Sequence, residues 1–144
     1  MASSISLEQI VQEMVESIKS QIPARSVRVA NELRNAAMVV LSGARSGRAY
    51  GGHIASAPGE PPANRNGTFR KSWEPTTLPI GGGGSIARIE SGLTVGSKKS
   101  YVLGELLEGG TSKMAPRPHH DRILQKAKPQ AERIYNEPYL GGFK

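Results

Sequence analysis

Between Gly43 and Gly67 the chain runs for about 25 residues through Gly, Pro, Ser, Ala and Arg with no hydrophobic period, and this stretch limits the folds available to it. Segments of that length without structure of their own are uncommon inside small domains; they serve as binding arms or remain unstructured insertions. The chain must therefore build its layers from the parts on either side. Its 144 residues suffice for one domain that buries roughly 70% of the unfolded surface. Only 37% of residues are hydrophobic and 5% aromatic, so a thin core of Val, Ile, Leu, Met and Ala is expected. We expect one domain over 1–144, with no internal repeat.

On the N-terminal side, Ser6 and Gln9 have the form of a capping box, and Leu7, Ile10, Val11, Met14, Val15 and Ile18 follow at helical spacing. Pro23 suits the first turn of a second helical segment, in which Val29, Leu33, Ala36, Ala37, Val40 and Leu41 recur until Gly43 stops it. The two segments read equally as one long kinked helix. On the C-terminal side, Thr68 to Lys71 reads as a turn. Trp73 to Leu78, Ile86 to Ser91 and Leu93 to Val95 show partial alternation, broken by Gly81 to Gly84 and by Ser91-Gly92, which predicts an antiparallel meander. Tyr101 to Glu108 predicts a short helix ending at Gly109-Gly110. A last helix is expected from about His119 to Asn136, kinked or divided at Pro129. The order predicts an α+β fold: a long N-terminal helix, a long Gly/Pro-rich loop at about 43–67, a small antiparallel sheet, and a C-terminal helix packed on that sheet.

The polar start of the chain, Met1 to Ser6, lacks the basic and apolar regions of a signal peptide, and the longest apolar run, Ala36 to Leu41, is far too short to span a bilayer. We expect a soluble protein with no membrane partner. Without cysteine there is no disulfide framework or thiolate site. A net charge of +7 favours a polyanionic or acidic neighbour, but the excess is spread along the chain rather than gathered in a run.

No catalytic, cofactor or metal set is expected. His119 and His120, taken as neighbours on a helix, would point about 100° apart and so could not readily share one ion. Gly81 to Gly84 lacks the Gly-Lys-Ser/Thr ending of a phosphate-cradling loop. Glu105 and Glu108 share a helical face that solvent or a charged partner explains. Asp121 stands beside two histidines with no nucleophile at a defined spacing.

Two segments carry a resemblance. Ser56-Ala57-Pro58-Gly59-Glu60-Pro61-Pro62-Ala63, followed by Asn66-Gly67-Thr68-Phe69-Arg70-Lys71-Ser72, resembles the SAPGEPPA…TGxLRxS stretch of the neck and minor-tail proteins of tailed bacteriophages and prophages. Tyr101, then Leu107-Glu108-Gly109-Gly110-Thr111-Ser112-Lys113-Met114-Ala115-Pro116-Arg117-Pro118, is similar to that family's YxxxLExGTSKMxPRP signature. The sequence departs from the pattern at Asn66-Gly67-Thr68-Phe69, where Thr-Gly and then an aliphatic residue are more frequent, at Gly109, where an aromatic is common, and at His119-His120, which replace a frequent aromatic. The resemblance implies a non-enzymatic virion protein of the head-to-tail connector, made in the host bacterial cytoplasm. It would form a homo-oligomeric ring around the DNA channel, of six subunits or alternatively twelve. Its other partners would be connector, head-completion and tail-tube proteins, with transient contact to packaged DNA.

Within that frame Pro58, Glu60, Pro61 and Pro62 are candidate interface residues, because prolines stiffen an arm and reduce the entropy lost on docking. A solvated loop is the alternative. Thr111, Ser112, Lys113, Met114, Pro116, Arg117 and Pro118 suit a fixed connection or an intersubunit contact, or simply a turn leading into a helix. Arg45, Arg48, Arg65, Arg70 and Lys71 are candidate channel contacts to DNA phosphates, against a solvated basic surface or pairing with a partner's acids. A competing reading of the whole chain is a basic protein that binds nucleic acid without sequence preference. Only Tyr50 and Phe69 offer the interleaved aromatics that it would use.

Overall fold

The computed structural model describes residues 6–64 and 66–140. Helix α1, Leu7–Val40, opens on the expected capping box: Ser6 Oγ accepts from the Gln9 N–H and Gln9 Oε1 from the Ser6 N–H. Of the two readings of this region, one continuous helix through Pro23 is the one observed. Pro23 lies on an exposed face, where water can serve the carbonyl that the ring leaves unpaired. The helix closes at Val40, before Gly43. The Leu41 N–H still reaches Ala37 O at 2.9 Å, and Arg45 takes the Val40 carbonyl at 2.8 Å.

The aperiodic stretch is not wholly irregular. Strands β1 (Ala49–Tyr50) and β2 (His53–Ile54) form a small hairpin around Gly51, whose φ is 60°. Gly47 N–H to Ala55 O and Ala55 N–H to Arg48 O prolong the pairing. A Cβ on Gly47 would lie 2.6 Å from the Ala55 carbonyl oxygen, so close approach of the two backbones requires glycine there.

After one helical turn, α2 (Thr68–Lys71), strands β3 (Trp73–Ile80) and β4 (Gly84–Ser91) pair antiparallel over their full length, from Trp73↔Ser91 to Ile80↔Gly84. The expected meander is not formed. Strand β5 (Thr94–Val95) pairs with β6 (Tyr101–Val102), so the described residues hold three separate two-stranded sheets. Gly92 releases the chain from β4, and the Leu103 N–H bonds to Leu93 O at 2.8 Å. Residues 101–102 are thereby drawn out of the predicted helix, which begins only at Leu103 as α3 (Leu103–Gly109).

Helix α4, His120–Asn136, runs through Pro129 without the expected division. It lies antiparallel to α1, which runs along the β3–β4 hairpin, and packs on the sheet residues through Ile123 and Ala127 against Trp73. The core joins Ala36, Ala37 and Leu41 of the α1 end to Ile123 and Ala127 of α4 and to Trp73 of β3, with Phe69 and Ile89 packed against them. The core is small, as the composition suggests, yet it centres on rings: Trp73, Phe69 and His119 meet edge to face at 5.5–5.8 Å between centroids. At the other end of α4, buried Arg25 donates to the carbonyls of Ile134, Glu137 and Pro138 and lies over the Tyr139 ring at 3.7 Å. One cation thus satisfies several C-terminal carbonyls that would otherwise be orphaned.

Candidate interaction surface

The two proline-bearing segments meet in the fold. Arg117 Nε donates to Ser56 Oγ at 2.9 Å, the Gly59 N–H to Pro116 O at 3.1 Å, and Arg122 to Gly59 O at 2.9 Å. Glu60 accepts from the backbone and hydroxyl of Ser46, which folds the arm back on itself and holds this carboxyl below its ordinary range. Pro61 and Pro62 are buried, and their carbonyls are bound by Arg45. What remains on the outside is Pro58 with Gly59, and beside them Ala115 and Pro116.

Residues 111–114 form a tight turn in which Thr111 and Met114 exchange backbone bonds of 2.8 and 3.3 Å, and Thr111 Oγ1 accepts from the Lys113 N–H. Ser112 and Lys113 stand exposed at its tip, while Met114, Arg117 and Pro118 are half-buried. Gly110 leads into the turn at φ 74°, and a Cβ there would come within 2.8 Å of Met114 O. Only glycine meets both conditions.

The basic candidates are used unequally. Arg45 is spent on the carbonyls of Val40, Ala44, Pro61 and Pro62, and Arg70 donates to Ser42 Oγ at 2.8 Å. Arg48 lies over the Tyr50 ring at 5.2 Å, and Lys71 is exposed. Arg65 lies outside the described residues. Among the described residues, Arg45 and Arg70 are thus engaged by acceptors of their own chain, while Arg48 and Lys71 are exposed.

The two histidines depart from the geometry expected of helix neighbours. His119 precedes α4 with φ −143°, outside the helix, so the separation of about 100° does not apply. Side-chain donors of Glu108, His119 and His120 come within 4.8 Å of one another. Glu108 Oε2 accepts the backbone N–H groups of His119 (2.7 Å) and His120 (3.2 Å), so α3 supplies a cap to α4. His119 Nδ1 lies 3.0 Å from both the Arg117 carbonyl and the same carboxylate oxygen. Both are acceptors, so Nδ1 carries the proton. Burial pushes the His119 pKa down despite these partners, so the contact with Glu108 at neutral pH is a hydrogen bond rather than an ion pair. For Glu108 burial acts upward, but the two backbone donors and the histidines outweigh it and hold the carboxyl low. A cation here would have to displace the Nδ1 proton and compete with two N–H donors for one oxygen. The observed arrangement is that of a helix cap.

The least covered apolar surface is one that periodicity alone could not distinguish from core. In the first turns of α1, Leu7 is 75% exposed and Ile10, Val11 and Val15 lie between 41 and 50%. At the β3–β4 tip, Leu78, Ile80 and Ile86 are likewise exposed on a stretch, 75–87, that carries no charge. A shallow groove of about 460 Å3 runs between α1, α4 and β4, and Leu124 at its edge is 55% exposed. Among the described residues no helix is long and apolar enough to cross a membrane. No family model, curated protein or solved structure matches the chain.

Proposed function

We propose that this chain is a non-catalytic structural subunit of the head-to-tail connector of a tailed bacteriophage. In this reading it assembles as a homo-oligomeric ring, of six or alternatively twelve copies, around the DNA channel, and is made in the cytoplasm of the host bacterium. The observation that carries the reading is the junction of segments 56–62 and 111–118. They are the two stretches that resemble neck proteins, they are 61 residues apart at the Arg117–Ser56 bond, and they form one joined patch with an exposed proline on each side. Rigid, pre-ordered loops of this kind lose little entropy on docking. The bare apolar surfaces on α1 and on the β3–β4 tip support the same reading, since patches of this kind mark sites covered in an assembly.

The test is the mass and shape of the purified protein, by light scattering and negative-stain microscopy, alone and with the connector and tail proteins encoded beside it. Closed rings, or recruitment into rings by those proteins, are expected. A persistent monomer that ignores them and binds free DNA or RNA, more weakly as salt rises, would overturn this reading in favour of the basic nucleic-acid binder.

A further inference from the structure

The two outer edges of the β3–β4 hairpin are finished differently. Pairing runs unbroken past Pro75 and Pro79, although neither has an N–H to give. Both prolines therefore occupy positions whose backbone polar groups turn away from β4, and in an antiparallel pair such positions recur at every second residue. Trp73 shares their phase, and its carbonyl accepts from Arg34 Nε at 3.2 Å. The β3 edge is thus closed by two prolines and an arginine, which keep an edge from recruiting another strand. The β4 edge carries no such protection. Ser85, Ala87, Ile89 and Ser91 stand opposite Pro79, Thr77, Pro75 and Trp73, so their N–H and C=O groups also turn outward. No turn, loop or further strand among the described residues bonds to these groups.

This open edge forms one wall of a groove whose other wall is α4. Beside Ala87 the groove holds about 460 Å3, with Val29 and Leu33 as its floor and Leu124 and Ala131 opposite. It continues beside Ile89 as a cleft of about 300 Å3 under Ile123, and beside Ser91 as one of about 360 Å3 towards Glu105. Free backbone donors and acceptors at every second residue call for the backbone of an extended strand, which neither a helix nor a nucleic acid presents. Both β4 and α4 rest on α1, a helix about 10 Å across, so the gap between them admits one strand about 4.8 Å from β4 and not the two of a hairpin. Every strand among the described residues is already paired in a hairpin, so a second copy cannot supply a single one from them. The charges along the groove, Lys128 with Glu132 and Arg88 with Glu90, are matched within the chain, which favours an uncharged occupant.

We propose that β4 takes up an extended, uncharged segment of a different protein as a third strand, laid between β4 and α4. The backbone groups of Ser85, Ala87, Ile89 and Ser91 bind its backbone. Its alternate side chains are apolar and rest on Val29, Leu33 and Leu124, and it has no proline where it pairs. This binding site goes beyond the connector reading and does not require it.

The probe is a library of random peptides panned against the purified full chain. Enriched peptides should be uncharged, with apolar residues at every second position. The best of them, labelled and followed by fluorescence anisotropy, should lose at least tenfold in affinity when alternate residues are N-methylated, which removes backbone donors from one edge. Ala87→Pro copies onto β4 what Pro75 and Pro79 do on β3, keeping the pairing while removing an outward N–H, and should weaken binding at least tenfold. Leu124→Lys, which alters the helix wall and no strand backbone, should do the same, and Leu78→Ser on the other face of the hairpin should change nothing. Circular dichroism checks that each variant is folded. Amide exchange gives a readout independent of peptide sequence. In the free chain the Ala87 and Ile89 N–H groups should exchange at least tenfold faster than those of Ile86 and Arg88, and peptide should slow them. The proposal is overturned if no peptide is enriched, if enriched peptides are charged or bind as well when N-methylated, or if folded Ala87→Pro and Leu124→Lys bind as the wild type does. Protection of Ala87 and Ile89 in the free chain also overturns it. Its loss on dilution would put a second copy in the groove, and its loss on removing residues 141–144 would put the chain's own C-terminus there.

Discussion

The two halves of α1 share one helical repeat of apolar residues and meet opposite fates. Val29, Ala30, Ala36 and Ala37 are at most 4% exposed, packed by α4 and the β3–β4 hairpin, whereas Leu7, Ile10, Val11 and Val15 of the same helix stand open. The residues are alike in kind; the difference lies in what the rest of the chain can reach. Antiparallel α4 extends only far enough to cover the later half, and buried Arg25 and half-buried Gln21, which bind the carbonyls of 134–139, mark where that cover ends. An apolar period therefore shows which face of a helix seeks cover, while the neighbouring elements decide whether the monomer supplies it.

Removing the ring at the centre of the covered half should have the largest effect. Trp73→Ala should destabilise the protein by about 3–5 kcal/mol, read as a lowered denaturant midpoint. Arg25 marks the boundary between the halves. Arg25→Ala should cost about 2–3 kcal/mol, because it leaves several α4 carbonyls without their donor. Glu108→Ala, which strips the cap at the far end of α4, should cost about 1–2 kcal/mol in the same assay.

The covered half should also respond to acid. Folded His119 has a depressed pKa, so the unfolded chain gains its proton first, near the ordinary 6.5, and stability present above that pH declines as pH falls towards the folded value. Glu108, also depressed, adds stability present above its ordinary 4.5 that is lost as pH falls through its own folded value. Denaturant midpoints measured against pH should therefore fall in two steps, and His119→Phe should remove the upper one. The smallest effect belongs to the bare half. Val11→Ser should change monomer stability by no more than about 0.5 kcal/mol, as surface substitutions do. A loss comparable to that of Arg25→Ala would show that the monomer covers this half after all.

Much of the fold was legible where physics is local. The capping box at Ser6 and Gln9, the apolar repeats of α1 and α4, and the glycine interruption between β3 and β4 each act over a few residues, so the α+β order and the C-terminal helix on the hairpin follow from them. Legibility failed where partners are distant. Leu93 to Val95 alternates as a third strand should, but its partner is residues 101–102, because Gly92 turns the chain away from β4. Pro129 reads as a break, yet it lies on an exposed face where the unpaired carbonyl meets water. The candidate surface divides in the same way. Pro58, Pro61, Pro62 and the 111–118 turn are readable as stiff segments, but the bond from Arg117 to Ser56 is not, nor is the use of Arg45 and Arg70 as internal clamps. Local composition offers no signal that Glu108 caps α4, because the donors it meets lie 11 and 12 residues further along.

The sequence by itself determined the α+β class, the α1 cap and the stiffness of the proline segments. Those properties depend on backbone preferences over short spans. Only the tertiary structure decided which apolar stripe is core and which is bare, which arginines are spent internally, and that two segments 61 residues apart make one surface. The reason is physical. Burial and hydrogen-bond satisfaction depend on which groups the whole chain brings within a few ångströms of one another, and no local spacing encodes that.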